Sequence, residues 1–348
     1  ILFKFLNFKK MNTVKLFKDY GFNLEETFDK SIVMKFLNSY EEVLRRRKMR
    51  WDQLIKQADF QNDPRVKRFV RKGIPDEYRP EVWFILSGAK KMYDENKGSY
   101  DKWHSQSISE PNEAVILADV PRTFPENTKF LDRNHPESLL PHLQRILTAF
   151  VFKNPTIGYC QGMNFIAGLI LMVMMPDEEK AFWIFDTLIT EILESYYIPG
   201  MLRIQVDCMV LEELLRNKLP QVHHSITAKC EGSCVILGAK WFICAFVDVL
   251  PIQTCLRVLD CVMFEGDKIL FRAALAIIRL NQDAISRCSS IAELMMLFSE
   301  IMKSESVLRC HEFHDCMFSM IGSMSQKTIN KSRKIFEQRI TEEKPKRN

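Results

Sequence analysis

No apolar run in this sequence is long enough to cross a bilayer. The longest, FIAGLILMVMMP from Phe165 to Pro176, is well short of the roughly 20 residues that a spanning helix needs and reads as a buried helix. Glycine is scarce, with twelve in 348 residues, while 47% of the chain is apolar, a composition that excludes disordered and fibrous classes. Cysteine builds no compact framework: the ten are spread from Cys160 to Cys316, mostly inside apolar runs, as reduced core thiols of a cytosolic protein are. An excess of one charge is missing too. Lys and Arg total 49 against 44 acidic residues, a surplus too small to indicate a nucleic-acid binder. There is no Walker A sequence, no GxGxxG after a strand, no GxSxG and no HExxH, so the chain advertises no small-molecule substrate of its own.

What is present is helical rhythm. Ile32, Phe36, Tyr40, Val43, Trp51, Leu54 and Ile55 recur at helical spacing, with Arg45 to Lys48 falling largely on the other side, which predicts a long amphipathic helix. Pro64, Gly73, Pro75 and Pro80 punctuate the next stretch, marking entry into a second unit near Arg71. Tyr93 to Ser109 is polar and reads as an exposed excursion, and ILADVPRTFP after it as a loop. Leu139, Leu140, Leu143, Ile146, Leu147 and Phe150 form one stripe behind Asn134 and Pro136, predicting a helix that ends at NPTIGYCQG. Later blocks, DEEKAFWIFDTLITEIL, QVDCMVLEELLRNKLP, GAKWFICAFVDVLP, IQTCLRVLDCVMFEG, DKILFRAALAIIRLNQDAI, IAELMMLFSEIMKS and SQKTINKSRKIFEQRITEE, keep the same rhythm without period-two alternation. The fold class is therefore all-α, with no repeat at solenoid periods. We divide the chain into an N-terminal extension (1–70), a central domain (71–290) and C-terminal helices with a basic tail (291–348). The apolar start ILFKFLNFKK is broken by lysines and reads as no secretory signal, leaving Met11 a candidate native start.

Two clusters invite metal chemistry and support it poorly. In CHEFHDC, Cys310 and His314 lie one helical turn apart, but Cys316 falls on another face and no second knuckle comes after it, so a packed helix is expected. His223, His224, Cys230 and Cys234 are looser still. The run RRRKMR is basic enough to meet an anionic membrane or an acidic partner, although such runs are more often solvated faces.

Three stretches remain. RPEVW puts Arg79 and Trp83 four apart on one helix face; ILADVPRTFP holds Ile116, Asp119 and Arg122; GYCQGMN holds Tyr159, Gln161 and Asn164 between and beyond Gly158 and Gly162. Separately each has a bland account: a stacking pair, a turn aspartate paired to Arg122, a helix-start glutamine. Together, in this order, they resemble the RxxxW, IxxDxxR and YxQ signature of the TBC-domain Rab GTPase-activating proteins. The resemblance covers about Arg71 to Ile285 and departs at Leu259, where the family commonly has an aromatic at what should be a packing position.

The resemblance implies a two-lobed helical TBC domain acting on a GTP-bound Rab GTPase. Arg122 would be an arginine finger and Gln161 a glutamine finger, both supplied in trans. Asp119, Tyr159, Ile116, Arg79 and Trp83 would support them, and Tyr159, Gly162 and Asn164 would meet the partner. It implies no cofactor of the chain's own, since GTP and Mg2+ belong to the GTPase, and no nucleic-acid partner. A cytoplasmic protein is expected, reaching membranes through the Rab or the basic helix. The alternative is a catalytically silent scaffold that binds Rab proteins. An adaptor unrelated to GTPases would require all three motifs to be coincidence.

Overall fold

A computed structural model describes residues 20–22, 29–57, 59–198, 200–228 and 235–343. Every regular element among them is helical. The chain divides into two compact units, Ile1–Leu188 and Ile189–Asn348, and the division lies within the 71–290 segment.

In the first unit, α1 (Lys30–Leu54) starts where Asp29 accepts the Ser31 amide at 2.7 Å. Its apolar stripe buries Phe36, Tyr40, Trp51 and Leu54, and the Trp51 indole donates to the Gly73 carbonyl at 3.1 Å. Arg47 departs from the expected solvent face. It is buried on the same stripe as Tyr40 and donates to that hydroxyl at 3.0 Å; seven residues are two helical turns, so the two side chains share a face.

Helices α2 (Val66–Lys72), α3 (Arg79–Leu86), α4 (Ala89–Glu95), α5 (Tyr100–Trp103) and α6 (Glu110–Asp119) come next. The expected exposed excursion is partly core. Tyr100 packs against Phe182 with ring centroids 4.9 Å apart, and Trp103 against Trp183 at 5.7 Å. Nor is ILADVPRTFP a loop from its start: it is helical through Asp119, then continues as a tight 3-10 turn, Val120–Arg122. Helix α7 (Leu140–Lys153) buries Leu143, Ile146, Leu147 and Phe150, as its stripe requires. Helix α8 (Met163–Met174) is buried at every residue except Phe165, and α9 (Glu178–Thr187) packs beside it. Such all-round burial is what an uninterrupted apolar sequence dictates.

The second unit holds α10 (Leu202–Lys218), α11 (Pro220–Thr227), α12 (Val235–Ile243), α13 (Ile252–Glu265), α14 (Lys268–Leu280), α15 (Gln282–Arg287), α16 (Ile291–Ile301), α17 (Glu305–Leu308), α18 (Cys310–Asp315) and α19 (Gln326–Glu343). Its centre is α14, buried from Ile269 to Ile278, with α13 alongside. Leu259 is fully buried on α13, so the position that departs from the family pattern is a packing position. The helix expected through GAKWFICAFVDVLP stops at Ile243, because Ala245 and Phe246 take φ of 45° and 64° and turn the chain. Arg333 of α19 forms a two-pronged ion pair with buried Asp207 of α10, at 2.7 and 2.6 Å, and reaches Asp267 at 2.6 Å. No helix among the described residues is long and apolar enough to cross a membrane.

Candidate functional site

The arginine loop begins at the end of α6. Pro121 sits inside the 3-10 turn and fixes one φ on the residue before Arg122. Phe124, two residues on, takes a φ of 48°, a conformation that costs a non-glycine residue energy and persists only where packing over-determines it. That packing is an aromatic cluster: the Phe124 ring meets Phe130 at 5.4 Å and Phe165 at 5.5 Å, both edge-on. Thr123 is buried beneath, its hydroxyl donating to the Asp119 carbonyl at 3.0 Å. Gly168 of α8 lets the loop come this close, since a Cβ there would lie 3.1 Å from Phe124 Cε2 and 3.2 Å from Thr123 Cγ2. Pinned on both sides, Arg122 itself is solvent-exposed.

The glutamine loop runs from the end of α7 to the start of α8. Its first residue, Asn154, donates to Asp186 Oδ1 at 2.8 Å, and Lys153 Nζ lies 2.9 Å from the same carboxylate. Its last, Gly162, has a φ of 105° and precedes the first turn of α8, a conformation that glycine adopts without penalty. Gln161 is exposed immediately before it, while Gly162 and Asn164 are buried.

Hydrogen bonds stitch the two loops together on both sides of the exposed residues. Before them, the Tyr159 hydroxyl donates to Asp119 Oδ2 at 2.9 Å. After them, Asn164 Nδ2 donates to Thr123 Oγ1 at 2.9 Å and to the Asp119 carbonyl at 3.4 Å, while its Oδ1 accepts the Gly162 amide at 3.2 Å. Asp119, Tyr159, Gly162 and Asn164 are thus one network, and Arg122 and Gln161 project from it. Burial, and then the adjoining Asp119 carboxylate, push the Tyr159 phenol well above its ordinary pKa, so it stays a hydrogen-bond donor throughout the neutral range. The carboxylate of Asp119 serves Tyr159, and among the described residues Arg122 forms no ion pair with it.

Ile116 is buried on the inner face of α6 and Trp83 within α3. Arg79 lies further back: Nη2 donates to the Ile74 carbonyl at 2.8 Å, and Nη1 to Tyr20 at 3.1 Å and to Asp76. Sequence reasoning missed Asn112, which accepts the Tyr159 amide through Oδ1 at 2.8 Å while donating to Ser109 at 2.7 Å. It missed Thr123, Phe124 and Gly168 as determinants too. An asparagine in a helix or a glycine in an apolar run carries no functional signal until its spatial neighbour is known.

Of the candidate metal residues, Cys310 and His314 are buried, the His314 Nδ1 lying 3.0 Å from the Cys310 carbonyl. Cys230 and Cys234 lie outside the described residues.

Residues 76–286 match the family model described as Rab-GTPase-TBC domain. The chain is 40% identical over 321 residues to growth hormone-regulated TBC protein 1 of Homo sapiens, covering 92% of this chain and 95% of that protein. It is 31% identical over 307 residues to the GTPase-activating protein MSB4 of Saccharomyces cerevisiae, covering 76% of this chain and 62% of that protein. Among solved structures, the Chlamydomonas flagellar RabGAP TBC domain superposes with a TM-score of 0.74 at 27% identity, covering 86% of this chain and 98% of that one.

Proposed function

The chain belongs to the Rab-GTPase-TBC domain family, and from that premise we propose that it accelerates GTP hydrolysis on a Rab GTPase by supplying Arg122 and Gln161 in trans. The observation that carries this reading is the pairing of two exposed side chains on loops that share one hydrogen-bond network, buried at Asp119, Thr123 and Asn164 and half-buried at Tyr159. GTP hydrolysis needs little from a protein beyond positioning the attacking water and neutralising charge on the phosphate oxygens. A guanidinium suits the second task, being planar, always charged and rich in donors. A primary amide suits the first, because it donates and accepts at once.

Asp119 could have neutralised Arg122. Its carboxylate instead accepts from Tyr159, which leaves the guanidinium free to meet an anionic group and fixes the backbone two residues before Gln161. On this reading nucleotide and magnesium belong to the GTPase, and the chain requires no cofactor. Ending the GTP-bound state of a Rab would regulate vesicle trafficking at cytoplasmic membrane surfaces, with the exposed basic residues of α1, Arg45, Arg46, Lys48 and Arg50, as a candidate peripheral contact.

The test is single-turnover hydrolysis on a panel of GTP-loaded Rab proteins. Arg122→Ala is expected to lower the stimulated rate on the order of 10³-fold or more, and Gln161→Ala to lower it as well, with Rab binding retained. Binding without acceleration by the wild type on every Rab would instead establish a silent scaffold.

A further inference from the structure

Tyr20, Gly21 and Phe22 are remote in sequence from every residue assigned above, yet each touches the surroundings of the arginine loop. The Tyr20 hydroxyl donates to Asp76 Oδ1 at 3.1 Å and accepts from Arg79 Nη1 at 3.1 Å. Its carbonyl accepts from Asn127 Nδ2 at 2.7 Å, and the Gly21 carbonyl accepts the Thr128 amide at 3.0 Å. Phe22 sets its ring edge-on to Phe124, with centroids 5.3 Å apart and planes at 85°. At Gly21 the φ is 80°, and a Cβ would lie 2.4 Å from Asn127 Oδ1 and 2.9 Å from Thr128 Oγ1. Both the backbone angle and the close approach therefore demand glycine.

These contacts close a gap in the support of the loop. Thr123 and Phe124 are held from below by Asn164, Gly168 and Phe165 of α8, and Phe130 comes from the loop's own continuation. Among the described residues, Phe22 reaches Phe124 from outside both. Asn127 is fully buried and turns its Oδ1 to the Lys129 amide at 2.9 Å while its Nδ2 holds Tyr20. The segment thereby spans from Arg79 at the start of α3 to the residues just beyond Arg122.

We propose that Tyr20–Phe22 is a brace that positions the arginine loop for catalysis, with Phe22 acting through Phe124 and Gly21 through Asn127 and Thr128. All three are positioning residues, and the inference rests on the activator reading above. Misplacing a catalytic group by about an ångström costs on the order of 10²-fold, whereas docking of a GTPase onto the rest of the surface is indifferent to it.

The experiment compares wild type, Phe22→Ala, Phe22→Tyr and Gly21→Ala in the full chain, with thermal melts to establish folding. At saturating protein, Phe22→Ala should lower the maximal single-turnover rate roughly ten- to a hundredfold, with the half-saturating concentration unchanged within about twofold. Phe22→Tyr keeps the ring and restores the rate; Gly21→Ala behaves like Phe22→Ala. Amide exchange across 123–128 should rise several-fold in Phe22→Ala while that of 163–174 stays at the wild-type level. A folded Phe22→Ala with wild-type maximal rate and wild-type exchange across 123–128 overturns the brace. So does a loss confined to the half-saturating concentration, which would make Phe22 a docking residue. If the wild type accelerates no Rab, the activator reading falls, and amide exchange alone decides whether the segment holds the loop.

Discussion

Asn164 spends the two ends of one amide on two different loops: its nitrogen holds Thr123 and Asp119, and its oxygen holds the Gly162 amide. Replacing it by alanine leaves the buried Gly162 amide without its acceptor and removes one donor from the Thr123 hydroxyl, which keeps its bond to the Asp119 carbonyl, at a cost of about 1–3 kcal/mol. Asn164→Ala should therefore lower the denaturation midpoint moderately and depress GTPase stimulation out of proportion to that loss, which parallel melts and rate measurements would reveal. Asn164→Asp should rescue little, since a carboxylate cannot donate to Thr123. At this scale the sequence is informative about residue type and poor about partners. Arg122 and Gln161 stand out only through the order of three motifs, RxxxW, IxxDxxR and YxQ, since each alone has a bland account as a turn or helix-start residue. Asn112 and Gly168 are illegible, because each matters only through contact with a loop tens of residues away.

Glu178, the first residue of α9, ties three elements together. It accepts from Tyr100 of α5 and from Arg145 of α7 at 2.8 and 2.6 Å, and lies against His142 of the same helix. Burial would raise its pKa, but the bonds from Arg145, Tyr100 and His142 outweigh that and hold the carboxyl below its ordinary 4.5. An unfolded chain takes up this proton first, so the stabilisation is full above the unfolded pKa and is lost as pH falls through the lower folded value. Thermal midpoints should therefore fall more steeply for wild type than for Glu178→Gln between about pH 5 and about pH 3. A parallel fall in both proteins would rule this carboxylate out as a contributor. Element patterning was readable where a stripe faces one core, as in α7. It failed at Tyr93 to Ser109, where buried Tyr100 and half-buried Trp103 sit among polar neighbours and a short helix has too few turns to show a period.

Across the whole molecule, the all-α class and the run of helices come from 3.6-residue periodicity and punctuation, which need only local sequence. Long-range closure does not. Arg333 and Asp207 are 126 residues apart, and only the fold shows that they pair in the core of the second unit, with the Tyr196 hydroxyl donating to the same carboxylate. Burial outweighs the ion pair and holds the Asp207 pKa above its ordinary value. Arg333→Met leaves that carboxylate buried without its cation and should cost about 3–5 kcal/mol, whereas Arg333→Met with Asp207→Leu should recover much of it; urea midpoints of the two variants give the comparison. In the first unit, Asn112 and Asp119, both on α6, each grip Tyr159, and they stand about 10 Å apart along the axis of a rigid rod. The gauge between the two loops is thus inherited from helix geometry. Sequence drift in either loop can alter what that loop presents, and the spacing at which it is presented will outlast the change.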